Sequence, residues 1–302
     1  MAIETFELAV FTSVVRLESF AGAAEAHGMS ASGVSRLVAR LEHKLGVRLI
    51  QRTTRRLSLT EAGSAFHARA SRILSDLEEA EAEASASALR PRGTVRISAP
   101  VAFGRRHLGA VVDDILKAFP ELAIDLSLSD RFVDLVDEGF DLAVRTGALP
   151  DSRLVVRRLC ENRRILVASP DYLRRRGSPE AVADLARHEC LIFTALSRPR
   201  NWRLTGPAGT ADIAVSGPVA SDNGEFLIDL AQRGQGIAFA ATFVAHQALK
   251  AGDLVQVLPD HEFEPASIFA AYPSSRQLSS KVRAVVDHLA QAFRDPPPWD
   301  RA

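Results

Sequence analysis

The chain has 302 residues, 37 lysines and arginines against 37 aspartates and glutamates, and 47% hydrophobic residues. That length predicts two or three domains with apolar cores, and the charge balance means that any basic surface must be local. Glu4 and Glu7 with no basic stretch exclude a secretory signal, and no apolar run reaches the roughly 18 residues of a membrane helix, so a soluble, cytoplasmic protein without a membrane partner is expected.

Taken in order, Phe6, Val10, Val14 and Leu17 form a stripe at helical spacing, which predicts a first helix packed behind the next two. Ala21 to Glu25 is alanine-rich and reads as a short second helix, stopped at His27-Gly28. Ser30 is a natural N-cap for a third helix. In it Val34, Val38, Leu41 and Leu45 share one face, while Ala31, Ser32, Ser35, Arg36 and Arg40 lie on the other. An apolar back and a small, polar, basic front suit the major groove of duplex DNA. The competing reading is an ordinary amphipathic helix pair with a solvated charged face. From Ala31 to Arg56 the basic residues are Arg36, Arg40, Lys44, Arg48, Arg52, Arg55 and Arg56, with Glu42 the only acid. In a neutral chain this is a patch, and it favours nucleic acid.

Gly46 closes the third helix. Leu57 and Leu59 then alternate with polar residues at strand period, and Leu49 and Ile50 read as buried. Two short strands with Arg52, Thr53, Thr54, Arg55 and Arg56 at their tip make a wing that reaches phosphates, or else a merely solvated hairpin. Thr60-Glu61-Ala62-Gly63 opens a long helix to about Ala88. Its seam of Phe66, Ala70, Ile73, Leu77, Ala80, Ala84 and Ser87 steps alternately by four and three, so it either pairs two chains or packs on its own. Pro91 and Gly93 end it, and a domain boundary falls there.

The remainder alternates strand and helix. Strands are expected at 94–99, 123–128, 141–145, 164–168, 191–193, 237–240, 253–258 and 267–272, and helices at 106–118, 132–138, 171–176, 225–233 and 279–293. Alternation predicts parallel sheets covered by helices. The tail DPPPWDRA reads as disordered. Cys160 and Cys190 are too few for a disulfide framework and form no C-x-x-C, so a redox switch is weighed against two ordinary buried thiols. His27, His43, His67, His107, His188, His246, His261 and His288 are scattered. With no H-E-x-x-H, G-x-S-x-G or P-loop, neither a catalytic residue, a metal nor a cofactor is expected.

The segment SFAGAAEAHGMSASGVSRLVARLEHKLGVRLIQRTTRRLSLTEAG, with its AA pair, S-x-x-x-x-S-R helix start, LE-x-x-LG, R-TTR and LTEAG in order, resembles the LysR-type transcriptional regulators. SAPVAFGRRHL, LSLSDRFVDLVDEGFDLAVRTG and YPSSRQLSSKVRAVVDHL extend the resemblance along nearly the whole chain. The resemblance implies an N-terminal all-α winged helix-turn-helix (1–59), a dimerising linker helix (60–90), and an α/β effector domain of two subdomains like periplasmic binding proteins (91–295). Subdomain I would comprise about 93–162 and 267–295, subdomain II about 163–266, and the tail 296–302 would be free. It implies a homodimer or homotetramer on dyad-symmetric promoter DNA, a small-molecule co-inducer in the cleft, and a contact with RNA polymerase as an open question.

Residue by residue, the resemblance places Ser30, Ala31, Ser32, Ser35, Arg36 and Arg40 on DNA from the helix, and Arg52, Thr53, Arg55 and Arg56 from the wing. Ala31 stands where the family often has a base-reading glutamine, so readout leans on the serines and arginines, and Ile50-Gln51 replaces a common Phe-Glu pair. The cleft would be lined by Ser98, Ala99, Pro100, Val101, Ser129, Asp130, Phe132, Arg145 and Thr146, facing Phe193, Asn223, Gly224 and Ala240. An anionic effector, aromatic or hydroxy acid, is the expectation, with Asp130 arguing against a pocket tuned only to anions. Two other readings remain: a repressor that needs no effector, and a solute-binding or enzymatic domain whose winged helix binds protein.

Overall fold

The computed structural model describes residues 2–52, 57–84, 90–147, 154–264, 266–274 and 279–301. Its amino-terminal part is α1 (Thr5–Arg16), α2 (Phe20–Ala26), α3 (Ala31–Leu45), an antiparallel pair β1 (Ile50–Arg52) and β2 (Leu57–Leu59), and α4 (Glu61–Ala84). Local chemistry sets these bounds. The Ser19 hydroxyl accepts the Gly22 N–H at 3.0 Å and the Ser30 hydroxyl accepts the Gly33 N–H at 3.1 Å, so each serine caps its helix. Gly46, at φ 70°, ends α3 in the left-handed conformation that glycine adopts without strain.

Val10, Phe11, Val14, Ala23, Val34, Val38, Leu41 and Leu49 form the core of this unit. The stripe expected on α1 is rotated. Phe6 and Leu17 are 49% and 43% exposed, and the inward face is Glu7, Val10, Phe11 and Val14. Pattern reading passed over that face because a glutamate sits in it. The wing strands pair as expected, with Ile50 opposite Leu59; the tip residues Thr53 to Arg56 and the Arg52 side chain lie outside the described residues.

The linker helix α4 leaves the wing without a gap. The Thr60 hydroxyl accepts the Gly63 N–H at 2.9 Å, and a Cβ on Gly63 would fall 1.9 Å from the Leu49 carbonyl oxygen, so only glycine permits this approach. The expected seam is divided. Phe66 packs on Phe11 at 5.5 Å and Ala70 is buried within the same chain, whereas Ile73 and Leu77 are 53% and 41% exposed. Ala80 is exposed, the Ala84 side chain is not described, and Ser87 lies outside the described residues.

The remainder folds around two five-stranded sheets. The first runs β4-β3-β5-β15-β6, built from β3 (Gly93–Ala99), β4 (Leu122–Leu128), β5 (Leu142–Thr146), β6 (Leu154–Asn162) and β15 (Ala266–Pro273). It carries α5 (Val101–Phe103), a π turn at Gly104–Leu108, α6 (Gly109–Ala118) and α10 (Ser280–Ala292). The second runs β11-β8-β12-β7-β13, from β7 (Arg164–Ala168), β8 (Cys190–Phe193), β11 (Ala220–Ser221), β12 (Ile237–Ala241) and β13 (Val255–Val257). It is flanked by α7 (Pro170–Arg176), α8 (Gly224–Gln232) and α9 (Thr242–Ala251), and by a three-stranded sheet of β9 (Asn201–Gly206), β10 (Gly209–Ala214) and β14 (Glu262–Phe263). The chain leaves the first sheet after Asn162 and returns to it at Ala266.

Several sequence expectations are corrected here. The sheets are mixed, not parallel: β15 runs antiparallel to β5 and β6, and β7 antiparallel to β12 and β13. The helix expected from Arg106 begins at Val101 and passes through the π turn. The helix expected at 132–138 is a turn, because the Asp134 carboxylate accepts the Val136 and Asp137 N–H groups at 2.9 and 3.0 Å and Gly139 leaves at φ 72°. The tail is packed rather than free. Trp299 is buried against His107 at 4.4 Å, Phe293 at 5.8 Å, Phe103 at 5.9 Å and Phe243 at 6.0 Å, and the Thr242 hydroxyl donates to Asp300 at 3.2 Å. One large ring supplies the apolar area that the surrounding prolines lack.

Trp299→Ala should cost about 3 kcal/mol, read as a fall of several degrees in the melting temperature of the effector part; an unchanged melt would show that the tail is only laid on the surface. Burial pushes the His107 imidazole down to about 4, so the fold holds it neutral. The unfolded chain then takes up this proton first, and stability should fall as pH drops from about 6.5 toward 4. Melts across that range should show a shallower fall for His107→Gln than for the unaltered chain.

Candidate functional site

Two surfaces carry the chemistry expected from the sequence. On α3, Ser30, Ala31, Ser32, Arg36 and Arg40 are exposed and Ser35 is half-buried, while Val34, Leu37, Val38 and Leu41 are buried behind them. The Ser30 hydroxyl, already capping the helix, lies 3.1 Å from that of Ser32. Arg36 has no ion-pair partner among the described residues. Arg40 does: its Nε donates to Glu7 at 3.0 Å, although its side chain stays 56% exposed. Lys44 lies 2.7 Å from the same carboxylate, donates to the Ala2 carbonyl at 3.0 Å, and is only 6% exposed. Lys44 is therefore a structural cation and not part of the free basic patch. Glu42 is also committed, accepting the Leu49 and Ile50 N–H groups at 2.8 and 3.0 Å.

Burial opposes ionisation of Glu7, but Lys44, the Glu4 N–H and Arg40 together hold its carboxyl below the usual range. Sequence reading placed Lys44 in the patch because its partner lies 37 positions earlier.

The second surface is a cleft between the two sheets, enclosing a cavity of about 320 Å³. Of the residues expected there, Pro100, Ser129, Asp130, Phe132, Arg145, Thr146, Phe193, Asn223, Gly224 and Ala240 line it. Ser98, Ala99 and Val101 do not. Ser98 and Ala99, on opposite faces of β3, have no exposed surface, and the Ser98 hydroxyl accepts from Arg145 at 2.9 Å. The Val101 N–H is turned to the Asp130 carboxylate at 3.1 Å. The sequence reading omits Ala102, Arg131, Asn162, Arg164, Phe239, Phe243 and Val244, among other lining residues. Asn162 and Arg164 had a legible signal, since four polar residues, Glu161 to Arg164, interrupt the apolar run where the chain changes sheets. Phe239 had none: in IAFAA it reads as ordinary core.

The cleft mouth is bridged. From the π turn, Arg106 Nε donates to Glu225 at 2.8 Å and Arg105 lies 3.7 Å from the same carboxylate. His107 Nε2 lies 2.8 Å from the Phe243 carbonyl oxygen. The Asn223 side chain accepts the Phe226 N–H at 2.9 Å, capping α8 where it enters the cleft. Both cysteines are free and buried, and burial pushes each thiol up to about 12, so neither is a ready thiolate. Among the described residues no group of three His, Cys, Asp or Glu could hold a metal ion, and no helix is long and apolar enough to cross a membrane.

A winged helix joined by a long helix to a two-lobed α/β unit with a central cleft is the architecture of a ligand-responsive DNA-binding regulator. Comparisons with known proteins agree. Residues 6–64 match the bacterial regulatory helix-turn-helix proteins of the lysR family, and residues 88–294 match the LysR substrate binding domain. The chain is 38% identical over 290 residues to the HTH-type transcriptional regulator DmlR of Escherichia coli, covering 96% of this chain and 94% of that protein. It is 34% identical over 292 residues to the regulator CrgA of Neisseria meningitidis, covering 96% of this chain and 97% of that protein. Among solved structures it is similar to CrgA from Neisseria meningitidis (TM-score 0.61, 33% identity, 96% of this chain and 99% of that one). It is also similar to the full-length Vibrio cholerae virulence activator AphB (TM-score 0.60, 28% identity, 96% and 99%). The chain belongs to the LysR-type transcriptional regulators: a helix-turn-helix protein with an effector-binding domain, and a regulator rather than an enzyme.

Removing the charge of Glu7 leaves Lys44 buried without its partner. Glu7→Gln should destabilise the winged helix by about 3 kcal/mol, measurable by denaturant titration of the full chain. Because the Glu7 carboxyl is held below its ordinary value, the unaltered chain should lose this stability as pH falls below about 4.5, and the variant should not.

Proposed function

We propose that this regulator binds dyad-symmetric promoter DNA as a dimer or a pair of dimers, and that a small molecule in the cleft sets the arrangement of its DNA-binding units. The observation that carries the reading is the exposed front of α3, where Ser32 and Arg36 have no acidic partner among the described residues and stand above a buried back. Arg36 can fork onto guanine O6 and N7, Ser32 and Ser35 can bond base edges or phosphate, and Arg40, tethered to Glu7, presents its remaining N–H groups to phosphate. Arg52, Thr53, Arg55 and Arg56 on the wing would add backbone contacts that set affinity and salt dependence.

The exposed Ile73 and Leu77 support pairing of two linker helices: two large apolar side chains one turn apart on a charged helix leave a strip that a second copy can cover. The linker is also tied to the effector domain. Arg72 donates to the Val136 carbonyl at 2.9 Å, and Lys281 donates to the Ser75 hydroxyl at 2.8 Å. Val136 belongs to the turn that follows Ser129 to Phe132 of the cleft wall, and Arg131 pairs with Glu138 in that turn at 2.5 Å. A ligand that moves the cleft wall thereby moves the surface on which α4 rests, through its differential affinity for two arrangements. This reading needs no cofactor beyond the ligand, places the protein in the cytoplasm with its promoter, and leaves RNA polymerase contact without an assigned residue.

Arg36→Ala should weaken binding to the chain's own upstream intergenic DNA by about 1–3 kcal/mol and relax base preference, in a fluorescence-anisotropy titration at fixed salt; unchanged affinity would remove α3 from the interface. The double substitution Ile73→Glu and Leu77→Glu should convert dimers to monomers in sedimentation; a persistent dimer would place the interface elsewhere.

A further inference from the structure

Glu42 is the one acid between Ala31 and Arg56. A carboxylate in that basic segment weakens the field that attracts phosphates, so its presence calls for a structural reason. Glu42 sits in the last turn of α3, half-buried and without a cation partner among the described residues. Its Oε1 accepts the N–H groups of Leu49 at 2.8 Å and Ile50 at 3.0 Å, and these two residues are only 1% and 3% exposed. Ile50 opens β1, the first strand of the wing. The other side of this segment is held as well. The Thr60 hydroxyl donates to the Arg48 carbonyl at 2.7 Å, and the Thr60 N–H donates to the Leu49 carbonyl at 3.0 Å. Thr60 lies between β2 and α4, so the root of the wing is clamped between the recognition helix and the start of the linker.

Apolar packing alone does not set this geometry. Leu49 and Ile50 share the core with Val34, Val38 and Leu41, but apolar burial is non-directional and tolerates sliding. One carboxylate oxygen that accepts two successive N–H groups fixes both the distance and the register of β1 against α3. An ionised acceptor holds such bonds more strongly than a neutral one. Without it two buried donors lose their partner, and the strand must shift to hydrate them.

We infer that Glu42 is a positioning residue for DNA binding: it fixes the root of the wing against α3, so that phosphate contacts from the wing and base contacts from the helix engage one duplex as a single rigid unit. The inference rests on the reading of α3 and the wing as the DNA-binding surface and adds the residue that sets their spacing. It also accounts for an acid in a basic segment. Glu42 touches no DNA itself; it acts through the strand whose N–H groups it holds.

The test uses the full chain and its own upstream duplex, titrated by fluorescence anisotropy across a salt series. The variants are Glu42→Ala, Glu42→Gln, the wing triple Arg52→Gln with Arg55→Gln and Arg56→Gln, and Glu42→Ala combined with that triple. Glu42→Ala should weaken binding about tenfold or more and flatten the slope of log Kd against log salt by about 2 to 3 per half-site, the share of three wing cations at about 0.9 each. The triple should flatten it equally, and adding the triple to Glu42→Ala should change affinity by less than about twofold. Glu42→Gln keeps an acceptor and loses the charge, so it should bind at least as tightly as the unaltered chain, with an undiminished slope. An unfolded fraction lowers the amount of active protein and leaves the slope unchanged, so the slope separates positioning from mere stability. Tighter binding by Glu42→Ala and Glu42→Gln alike would mark a bystander acid and overturn the inference. A native slope in Glu42→Ala, additive losses in the combined variant, or a flattened slope in Glu42→Gln would also overturn it. If the wing triple leaves the slope of the otherwise unaltered chain in place, the reading of the wing as a DNA contact falls, and the inference with it. If Glu42→Ala does not fold, Glu42→Met, of similar length but without the oxygens, takes its place. Failure of both to fold would make Glu42 a folding residue only and overturn the inference.

Discussion

A single carboxylate orients the DNA-facing side of this protein. Glu7 has no exposed surface, yet it is charged, because Lys44 and Arg40 from α3 and the Glu4 N–H converge on it. The pairing fixes the roll of α1 against α3. It explains why Phe6 and Leu17 turn outward while Phe11 enters the core, and why α3 presents Ser32 and Arg36 rather than Lys44 to solvent. A buried ion pair adds little net stability, but breaking one costs a good deal, so the orientation is held by the penalty for leaving it.

The effector half has a comparable constraint at its centre. The two sheets share a continuous apolar core, with Leu159, Ile268, Ile165 and Phe243 among its members, so the hinge side of the cleft is packed. The cleft mouth is bridged by polar contacts, with Arg106 of the π turn reaching Glu225 and Gln247. Trp299 stiffens the arrangement further, because it touches Phe103 and Phe293 of one sheet's helices and Phe243 of the other's. A packed hinge with a polar mouth allows small rotations without exposing core, which is what a ligand-biased switch requires. The linker helix rests on a turn only a few residues beyond the cleft wall, so such a rotation has a short route to the DNA-binding unit.

Much of this was legible in the sequence where the determinants are local. Ser30, Gly28 and Gly46 bound the recognition helix by capping and turn chemistry, and the strand starting near Thr94 announced itself by alternation. What failed depended on distant partners. Lys44 looked like a free cation because Glu7 is far away in sequence, and Ser98 looked like a cleft residue because Arg145, which claims its hydroxyl, lies 47 positions on. β6 and the β9–β10 ribbon carry arginines, threonines and glycines whose pairing is set by neighbours rather than by their own pattern. The tail misled for the opposite reason: proline content suggested disorder, and one tryptophan overrode it. The lining residues Asn162 and Arg164 stood in a polar break of the sequence, but only the crossing between sheets brings them to the same cavity as Arg145.

The central claim is that two copies of α3, held in fixed relation by the linker helices, grip two half-sites of one duplex. The most direct measurement compares affinity for the chain's upstream duplex with affinity for the same duplex with one half-site replaced, across a salt series. The account predicts a loss of several orders of magnitude on removing a half-site, with a shallower salt dependence for the shortened site. Equal affinity and equal salt slope for both duplexes would contradict it.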